Sequence, residues 1–188
     1  MTAPKTAGRG NGRPQGRGWV ILGIDPGTAL TGYGIVEKTG NRLTALSYGV
    51  VRTPAGLELH ERLAQLFDEL SALLARYQPT VAAVESLFFN VNVRTALAVG
   101  HARGVCLLAC SQAGCGLYEY TPQQVKQAVV GYGKAEKQQV QRMVTTLLGL
   151  REVPRPDDAA DALAVAICQA NSMAVLNATR RSRQKGNK

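Results

Sequence analysis

The sequence places single carboxylates directly after two short apolar runs. Residues 20–24 lead into Asp25, and residues 80–84 lead into Glu85. Short apolar runs of this kind are typical of buried strands, and a charge at the end of a buried strand is costly unless something pairs with it. Asp25 and Glu85 are therefore candidate catalytic or ligand residues. The turn signal after Asp25 is equally consistent with a side chain that only caps the turn.

A second group of carboxylates begins a late helix, in the string DDAADALAVAI at residues 157–167. Asp158 and Asp161 are three residues apart, and Asp157 and Asp161 are four apart, so either pair can share one helix face. Aspartates in a first turn also complement the helix dipole, which accounts for Asp157 and Asp158 but less well for Asp161. The spacing alone leaves the choice between Asp157 and Asp158 open.

Taken together, two strand-end and two helix carboxylates would repel one another if nothing neutralised them. A ligand set made only of oxygen atoms suits Mg²⁺ or Mn²⁺. Two such ions about 4 Å apart can activate a water molecule and stabilise a leaving oxygen during phosphodiester cleavage. These residue types therefore indicate a metal-dependent phosphodiesterase site.

The elements around these residues predict an α/β fold. Runs of β type at 20–24, 33–36 and 42–51 are separated by hairpin distances, so the first three strands are expected to be antiparallel. Ligands bind at the carboxyl edge of the strands in an α/β sheet, which would bring Asp25 and Glu85 together. Apolar spacing and cap signals predict two further strands, at 80–84 and 116–120, and helices at 57–77, 92–113, from 122, at 136–148 and from 157.

The net charge of +9 is carried by the two ends of the chain. Residues 1–18 hold four basic residues and residues 180–188 hold five, with no acidic residue in either segment. Because both ends lack apolar periodicity, we expect disordered basic arms at 1–18 and 176–188 around one globular domain at 19–175. Arms of this composition commonly contact phosphate backbones, and a solubilising role is the alternative.

Two other features bear on the class of protein. No run reaches the ~18 apolar residues of a membrane span, and the amino-terminal segment lacks the apolar core of a secretory signal, so we expect a cytoplasmic protein without a membrane partner. The cysteines lack the CxxC spacing of common zinc sites and are expected to be buried reduced thiols. They are Cys106, Cys110, Cys115 and Cys168.

The order of these features resembles the RNase H-like nuclease fold, with Asp on the first strand, Glu on the fourth and paired Asp on a late helix. The strings GIDPGTALTGYG, VESLFF, HARGV, TPQQVKQAVVGYGKAEKQQVQRMV and DDAADALAVAI are similar to those of the RuvC family of Holliday-junction resolvases, and they match in order over about residues 20–174. The resemblance implies an α/β RNase H-like fold, with a mixed five-stranded sheet flanked by helices on both faces.

The resemblance also implies roles for individual residues. It makes four carboxylates the ligands of two metal ions per active site, Mg²⁺ or Mn²⁺, and places two lysines near the scissile phosphate. These residues are Asp25, Glu85, Asp158 and Asp161, and Lys126 and Lys137. Asp157 then falls outside the ligand set, at or near the helix N-cap.

Three further residues are candidate DNA contacts. Phe88 aligns with an aromatic residue thought to act on bases at the opened crossover, although a phenylalanine considered alone is more often a core residue. Lys134 ends the flexible basic loop at 131–134, and Arg94 lies at the start of the helix predicted from residue 92.

In function, the resemblance implies a homodimeric endonuclease that binds four-way junction DNA and makes two symmetric nicks, leaving 5′-phosphate and 3′-hydroxyl ends. It would act in recombination and DNA repair with the RuvA–RuvB branch-migration complex.

An actin-like ATPase opens with a similar strand and turn but needs two such domains. The lysine-bearing helices and the DDAADA string distinguish this sequence from an RNA-directed nuclease of the same fold. A non-catalytic DNA-binding module is the remaining alternative and predicts binding without nicking.

Overall fold

The computed structural model of the protein describes residues 18–86 and 93–185, and for residues 93–95 and 174–185 the description covers the backbone alone. Phe88 and residues 1–17 of the amino-terminal arm lie outside the described residues. The described residues form five strands and five helices, which follow one another in sequence. They are β1 (Trp19–Asp25), β2 (Leu30–Thr39), β3 (Arg42–Arg52), α1 (Leu59–Tyr77), β4 (Val81–Glu85), α2 (Val93–Gln112), β5 (Gly116–Tyr120), α3 (Pro122–Val130), α4 (Lys137–Leu148) and α5 (Asp157–Lys185).

The strands form one mixed sheet in the order β3-β2-β1-β4-β5. The first three strands are antiparallel neighbours, and β4 runs parallel to both β1 and β5. This confirms the predicted five-stranded mixed sheet. Since β1 and β4 are adjacent and parallel, their carboxyl ends, Asp25 and Glu85, lie at the same edge.

The central strand β1 is buried on both faces, which explains its continuous apolar sequence. Ile21 points into the core shared with α3, α4 and α5, whereas Leu22 and Ile24 point into the core shared with α1 and α2. On α1, the residues at helical spacing that are buried are Leu66, Leu70 and Leu74. The helices on both faces of the sheet confirm the predicted architecture.

Glycines in the strands allow α5 to lie unusually close to the sheet. Gly23 on β1 pairs with Gly34 on β2, and a Cβ atom at either position would collide with α5. At Gly23 this atom would lie 2.6 Å from the amide nitrogen of Ala166, and at Gly34 it would lie 2.9 Å from the Cα atom of Leu163. Glycine weakens a strand interior, but here it permits a close approach of helix backbone to strand backbone.

Local signals set the starts of two other helices. Thr121 is the N-cap of α3 and forms a capping box with Gln124, as the sequence predicts. Glu136 is the N-cap of α4 and forms the equivalent box with Gln139, so that Lys137 becomes the first residue of that helix.

The structure differs from the sequence prediction at the carboxyl end of the chain. The helix α5 continues to Lys185, whereas the sequence analysis placed residues 176–188 in a disordered tail. Residues 176–185 contain no glycine or proline. Although Asn177, Thr179 and Ser182 are weaker helix formers, the leucine, alanine, arginine, glutamine and lysine residues of this segment favour helix even without an apolar stripe. Within the described residues, none of the helices combines the length and the apolar character that a membrane span requires.

Candidate active site

Two strand ends and one helix start converge at the carboxyl edge of the sheet. Asp25 is the last residue of β1 and pairs with Gly32 on β2. A Cβ atom at Gly32 would lie 2.6 Å from the carbonyl carbon of Asp158, so the backbone of Asp158 packs directly against the strand beside Asp25. The absence of a side chain at Gly32 therefore lets the first turn of α5 approach the strand-end carboxylate.

The carboxylates at this edge interact electrostatically with one another. Burial, followed by the negative charges of Glu85, Asp161 and Asp158, raises the pKa of Asp25 from 3.8 to about 7, while the positive charge of Lys137 acts in the opposite direction. Desolvation and nearby like charges both raise the pKa of a carboxyl group. The four predicted ligands thus form one electrostatic cluster.

Two more members of this cluster, Glu85 and Asp161, have pKa values above their ordinary values. Burial, and then the charge of Asp161, raise the pKa of Glu85, and Lys126 and Lys137 partly offset this rise. Burial also raises the pKa of Asp161, against the hydrogen bond and the charge of Lys137. Clustered carboxylates with raised pKa values are typical of functional sites, because a cation at the site would favour the charged forms that the protein alone disfavours.

The two predicted lysines contribute positive charge to this edge from neighbouring helices. The Lys137 Nζ atom lies 2.9 Å from Oδ2 of Asp161. Lys126 on α3 is half-buried, and its charge reaches Glu85, whose pKa it lowers. Both lysines therefore act electrostatically on the carboxylates, and Lys137 contacts one of them directly.

Asp157 is the first residue of α5, in keeping with its predicted place at or near the N-cap, but its side chain is engaged elsewhere. Its Oδ1 atom lies 2.6 Å from Nη1 of Arg155, and its Oδ2 atom lies 3.4 Å from Nζ of Lys137. Desolvation would raise the pKa of Asp157, but the charges and hydrogen bonds around it prevail and lower that pKa.

The donor set suits a hard divalent cation, since it consists of oxygen atoms from carboxylates whose charges repel one another. As the side chains lie, no group of three or more His, Cys, Asp or Glu residues in the described part of the chain is arranged to hold an ion. The ammonium of Lys137 contacts the Oδ2 atom of Asp161. An ion that bound through this oxygen would therefore displace or share the contact between Asp161 and Lys137.

Comparison with known proteins decides the family. The model of the family described as "Crossover junction endodeoxyribonuclease RuvC" matches residues 21–169. The crossover junction endodeoxyribonuclease RuvC of Heliobacterium modesticaldum is 65% identical over 154 residues, which cover 82% of this chain and 95% of that protein. The protein of the same name from Desulfitobacterium hafniense is 60% identical over 158 residues, which cover 84% and 96%. The chain belongs to the RuvC family.

Solved structures agree with this assignment. Thermus thermophilus RuvC in complex with a Holliday junction substrate is 40% identical, with a TM-score of 0.79 over 82% of this chain and 94% of that one. The yeast mitochondrial Holliday junction resolvase Ydc2 is 16% identical with a TM-score of 0.67, which shows a shared fold. The predicted RNase H-like fold, of the kind found in the RuvC family, is confirmed.

The other predicted DNA contacts of this RuvC-family chain are less fully described. Lys134 is exposed between α3 and α4. Arg94 belongs to α2, in the part of that helix for which only the backbone is described, and Phe88 lies outside the described residues. All four cysteines are free and buried, as predicted.

A hydrogen-bond network that the sequence did not predict supports the turn beside the RuvC-family site. Arg62 on α1 donates from Nη2 to the carbonyl oxygen of Thr28, 2.7 Å away, and from Nε to Oγ1 of Thr53, 3.1 Å away. The Thr53 hydroxyl in turn donates to the Thr28 carbonyl oxygen. This network fixes the turn that follows Asp25. No local sequence pattern signals this network. The strand glycines could have signalled the approach of α5 to the sheet, because glycine inside a strand pattern marks close backbone approach.

Proposed function

We propose that this chain resolves Holliday junctions by binding four-way junction DNA and nicking two opposed strands symmetrically, leaving 5′-phosphate and 3′-hydroxyl ends, during recombination and DNA repair. The observation that carries the proposal is the electrostatic cluster of four carboxylates at one sheet edge of a RuvC-family chain. The junction-bound Thermus thermophilus protein supports the same class of substrate.

The four carboxylates are proposed to hold two divalent ions per active site, Mg²⁺ in the first place and Mn²⁺ as a substitute. When bound, such ions supply an activated water and neutralise charge on the leaving oxygen. The ligands would be Asp25, Glu85, Asp158 and Asp161. The raised pKa of Asp25, about 7, means that this residue must lose a proton before it can act as a ligand near neutral pH.

The lysines are proposed to act on the substrate. Lys126 and Lys137 project from two helices toward the carboxylate edge, where their charges influence Glu85. A phosphodiester entering this edge would meet these cations, which stabilise the negative charge that grows on the phosphate in the transition state. Phe88, Arg94 and Lys134 are proposed to contact the DNA around the crossover.

A homodimer is proposed to form through α2. Leu97 and Leu108 are 62% and 52% exposed, and they are eleven residues apart, about three helical turns, so they lie on the same side of the helix. A Cβ atom at Gly100 or Gly104 would meet nothing within 4 Å. An exposed apolar face with glycines between the leucines suits close packing against a second copy, which would supply two active sites for paired nicks.

Two expectations about context complete the proposal. The chain would act together with the RuvA–RuvB branch-migration complex, since a resolvase acts on the crossover that such a complex moves. We also propose a cytoplasmic location, because a bacterial resolvase must reach chromosomal DNA.

One assay tests the proposal against its alternatives. A synthetic four-way junction, a matched duplex and an RNA–DNA hybrid are each incubated with the protein and Mg²⁺ or Mn²⁺, with EDTA as the control. We expect paired nicks in the junction alone and only with a metal ion. Cleavage confined to the hybrid would indicate an RNA-directed nuclease. Binding without nicking under any metal would indicate a non-catalytic module.

A further inference from the structure

The ammonium of Lys137 lies between two carboxylates of α5. It is 2.9 Å from Oδ2 of Asp161 and 3.4 Å from Oδ2 of Asp157. Asp157 and Asp161 are one turn apart on the same helix, so they present their side chains on one face. One of these carboxylates belongs to the proposed ligand set and the other does not.

The second carboxylate oxygen of Asp157 is also engaged. Its Oδ1 atom lies 2.6 Å from Nη1 of Arg155, which leaves Oδ2 for Lys137. The side chain of Asp157 is 41% exposed, against 29% for Asp161. Arg155 thus holds the Asp157 carboxylate at the outer rim of the site, with one oxygen directed to the lysine.

Lys137 and a metal ion would compete for Oδ2 of Asp161 if the ion bound through that oxygen. A carboxylate oxygen that contacts an ammonium at 2.9 Å must give up that contact, or share it, when it ligates a divalent ion. If Asp161 were the only acceptor within reach, the displaced ammonium would be left facing an added cation, with repulsion between the two positive charges. Asp157 offers a second acceptor, because its Oδ2 atom already lies 3.4 Å from Nζ of Lys137.

We propose that Asp157 is a positioning residue that holds the Lys137 ammonium while Asp161 turns to a metal ion. Asp157 is not itself a ligand in this scheme. It makes ion binding easier and keeps the lysine beside the site, where it remains available to a phosphate. The inference rests on the proposed metal-dependent function and adds to it a residue outside the ligand set.

Metal binding to the DNA-free protein tests the inference. Titration calorimetry with Mn²⁺ or Mg²⁺ would compare the wild type with Asp157→Asn, and melting curves would verify that the variant is folded. We expect Asp157→Asn to weaken ion binding about two- to fivefold, the range that partly exposed charge pairs support. Asp157→Glu should restore most of the affinity. Glu152→Gln, which removes another exposed carboxylate close by in the sequence, should leave the affinity unchanged.

A double-mutant cycle separates positioning of Lys137 from a general effect of charge. In a Lys137→Met background, Asp157→Asn should produce no further loss of ion affinity, because the residue through which Asp157 acts is gone. The same loss in both backgrounds would overturn the inference, since Asp157 would then act by its charge or as a ligand. Equal affinities of wild type and Asp157→Asn would also overturn it. A wild-type protein that binds neither ion would overturn the metal-dependent function as well.

Discussion

Gly32 on β2 lies directly beneath the backbone of Asp158, so close that a Cβ atom at Gly32 would stand 2.6 Å from the Asp158 carbonyl carbon. The same glycine pairs with Asp25 across the sheet. One residue without a side chain thus sets the approach of a helix carboxylate to a strand carboxylate. The geometry of the site depends on this glycine as much as on the acids themselves.

Gly32→Ala should therefore push α5 away from the sheet. We expect a loss in the free energy of unfolding of about 3 kcal/mol, the upper end of the usual cost of overpacking a core, together with loss of cleavage. Chemical denaturation and a junction-cleavage assay would measure both effects. Gly56→Ala is the matched control, because a Cβ atom there meets nothing within 4 Å. Equal stability of the two variants would contradict the close-packing account.

Much of this site could be predicted from the sequence, because its acids stand at the ends of clear patterns. Asp25 and Glu85 end apolar strands, and Asp158 and Asp161 open an apolar helix, so that local periodicity was enough to place them. The antiparallel start of the sheet followed in the same way from hairpin spacing. Spacing alone did not decide whether Asp157 or Asp158 belongs to the proposed ligand set. That choice rested on the family resemblance.

Other features depended on tertiary distances that local patterns do not encode. The contact of Gly32 with Asp158 and the clamp of Arg62 on the turn after Asp25 join residues far apart in the sequence. The bridge from Lys137 to Asp157 and Asp161 depends on how α4 crosses α5. The extension of α5 to Lys185 was missed for another reason, since the prediction followed apolar spacing and gave no weight to helix propensity.

Asp25→Asn should abolish nicking while leaving junction binding largely intact. The substitution removes one charge from the proposed ligand set and leaves the positive surface of the protein unchanged. Gel-shift and single-turnover cleavage assays on the same junction would separate the two properties. Cleavage by the variant within about tenfold of the wild-type rate, a difference of only about 1.4 kcal/mol in the barrier, would exclude Asp25 as an essential ligand.

The raised pKa of Asp25 also predicts how stability depends on pH without metal. Between about pH 4 and pH 7 the folded protein keeps Asp25 protonated while the unfolded chain ionises it, so the folded state binds more protons and loses stability as the pH rises through this window. The full shift corresponds to about 4 kcal/mol.

Asp25→Asn should therefore melt close to the wild-type temperature near pH 4 and at a higher temperature at pH 8, both in EDTA. Saturating Mg²⁺ should reduce or reverse the difference at pH 8, because only the wild type gains a complete set of ligands. An equal difference between the two proteins at both pH values would mean that the titration of Asp25 is not its cause.

Lys126→Ala and Lys137→Ala should slow cleavage more than they weaken binding. Loss of a cation at the reacting phosphate is expected to lower the single-turnover rate about a hundredfold, whereas one phosphate contact among many contributes little to affinity. Lys134→Ala is the control, since Lys134 is exposed in the loop between α3 and α4; it should weaken binding and leave the rate at saturation unchanged. Reduced affinity with an unchanged rate would make Lys126 and Lys137 backbone anchors.

The proposed dimer predicts a change in oligomeric state when charge is placed on α2. Leu97→Glu combined with Leu108→Glu should convert a dimer into a folded monomer, because two buried acids would face their counterparts across the interface. Light scattering after size-exclusion chromatography would report the mass. Leu147→Glu on α4, which changes a leucine that is 38% exposed, should remain dimeric. A dimer that survives the paired α2 substitutions would place the interface elsewhere.

Asp158→Asn and Asp161→Asn should both be nearly inactive, yet they should differ in stability without metal. Asp158→Asn removes a charge that raises the pKa of Asp25 and leaves the ion pair between Lys137 and Asp161 intact, so its melting temperature in EDTA should rise. Asp161→Asn removes a repelling charge and also the 2.9 Å contact with Lys137, so its gain should be smaller. Asp68→Asn, an exposed change on α1, should match the wild type in both assays. An active Asp158→Asn would exclude that residue from the ligand set and reopen the choice between Asp157 and Asp158.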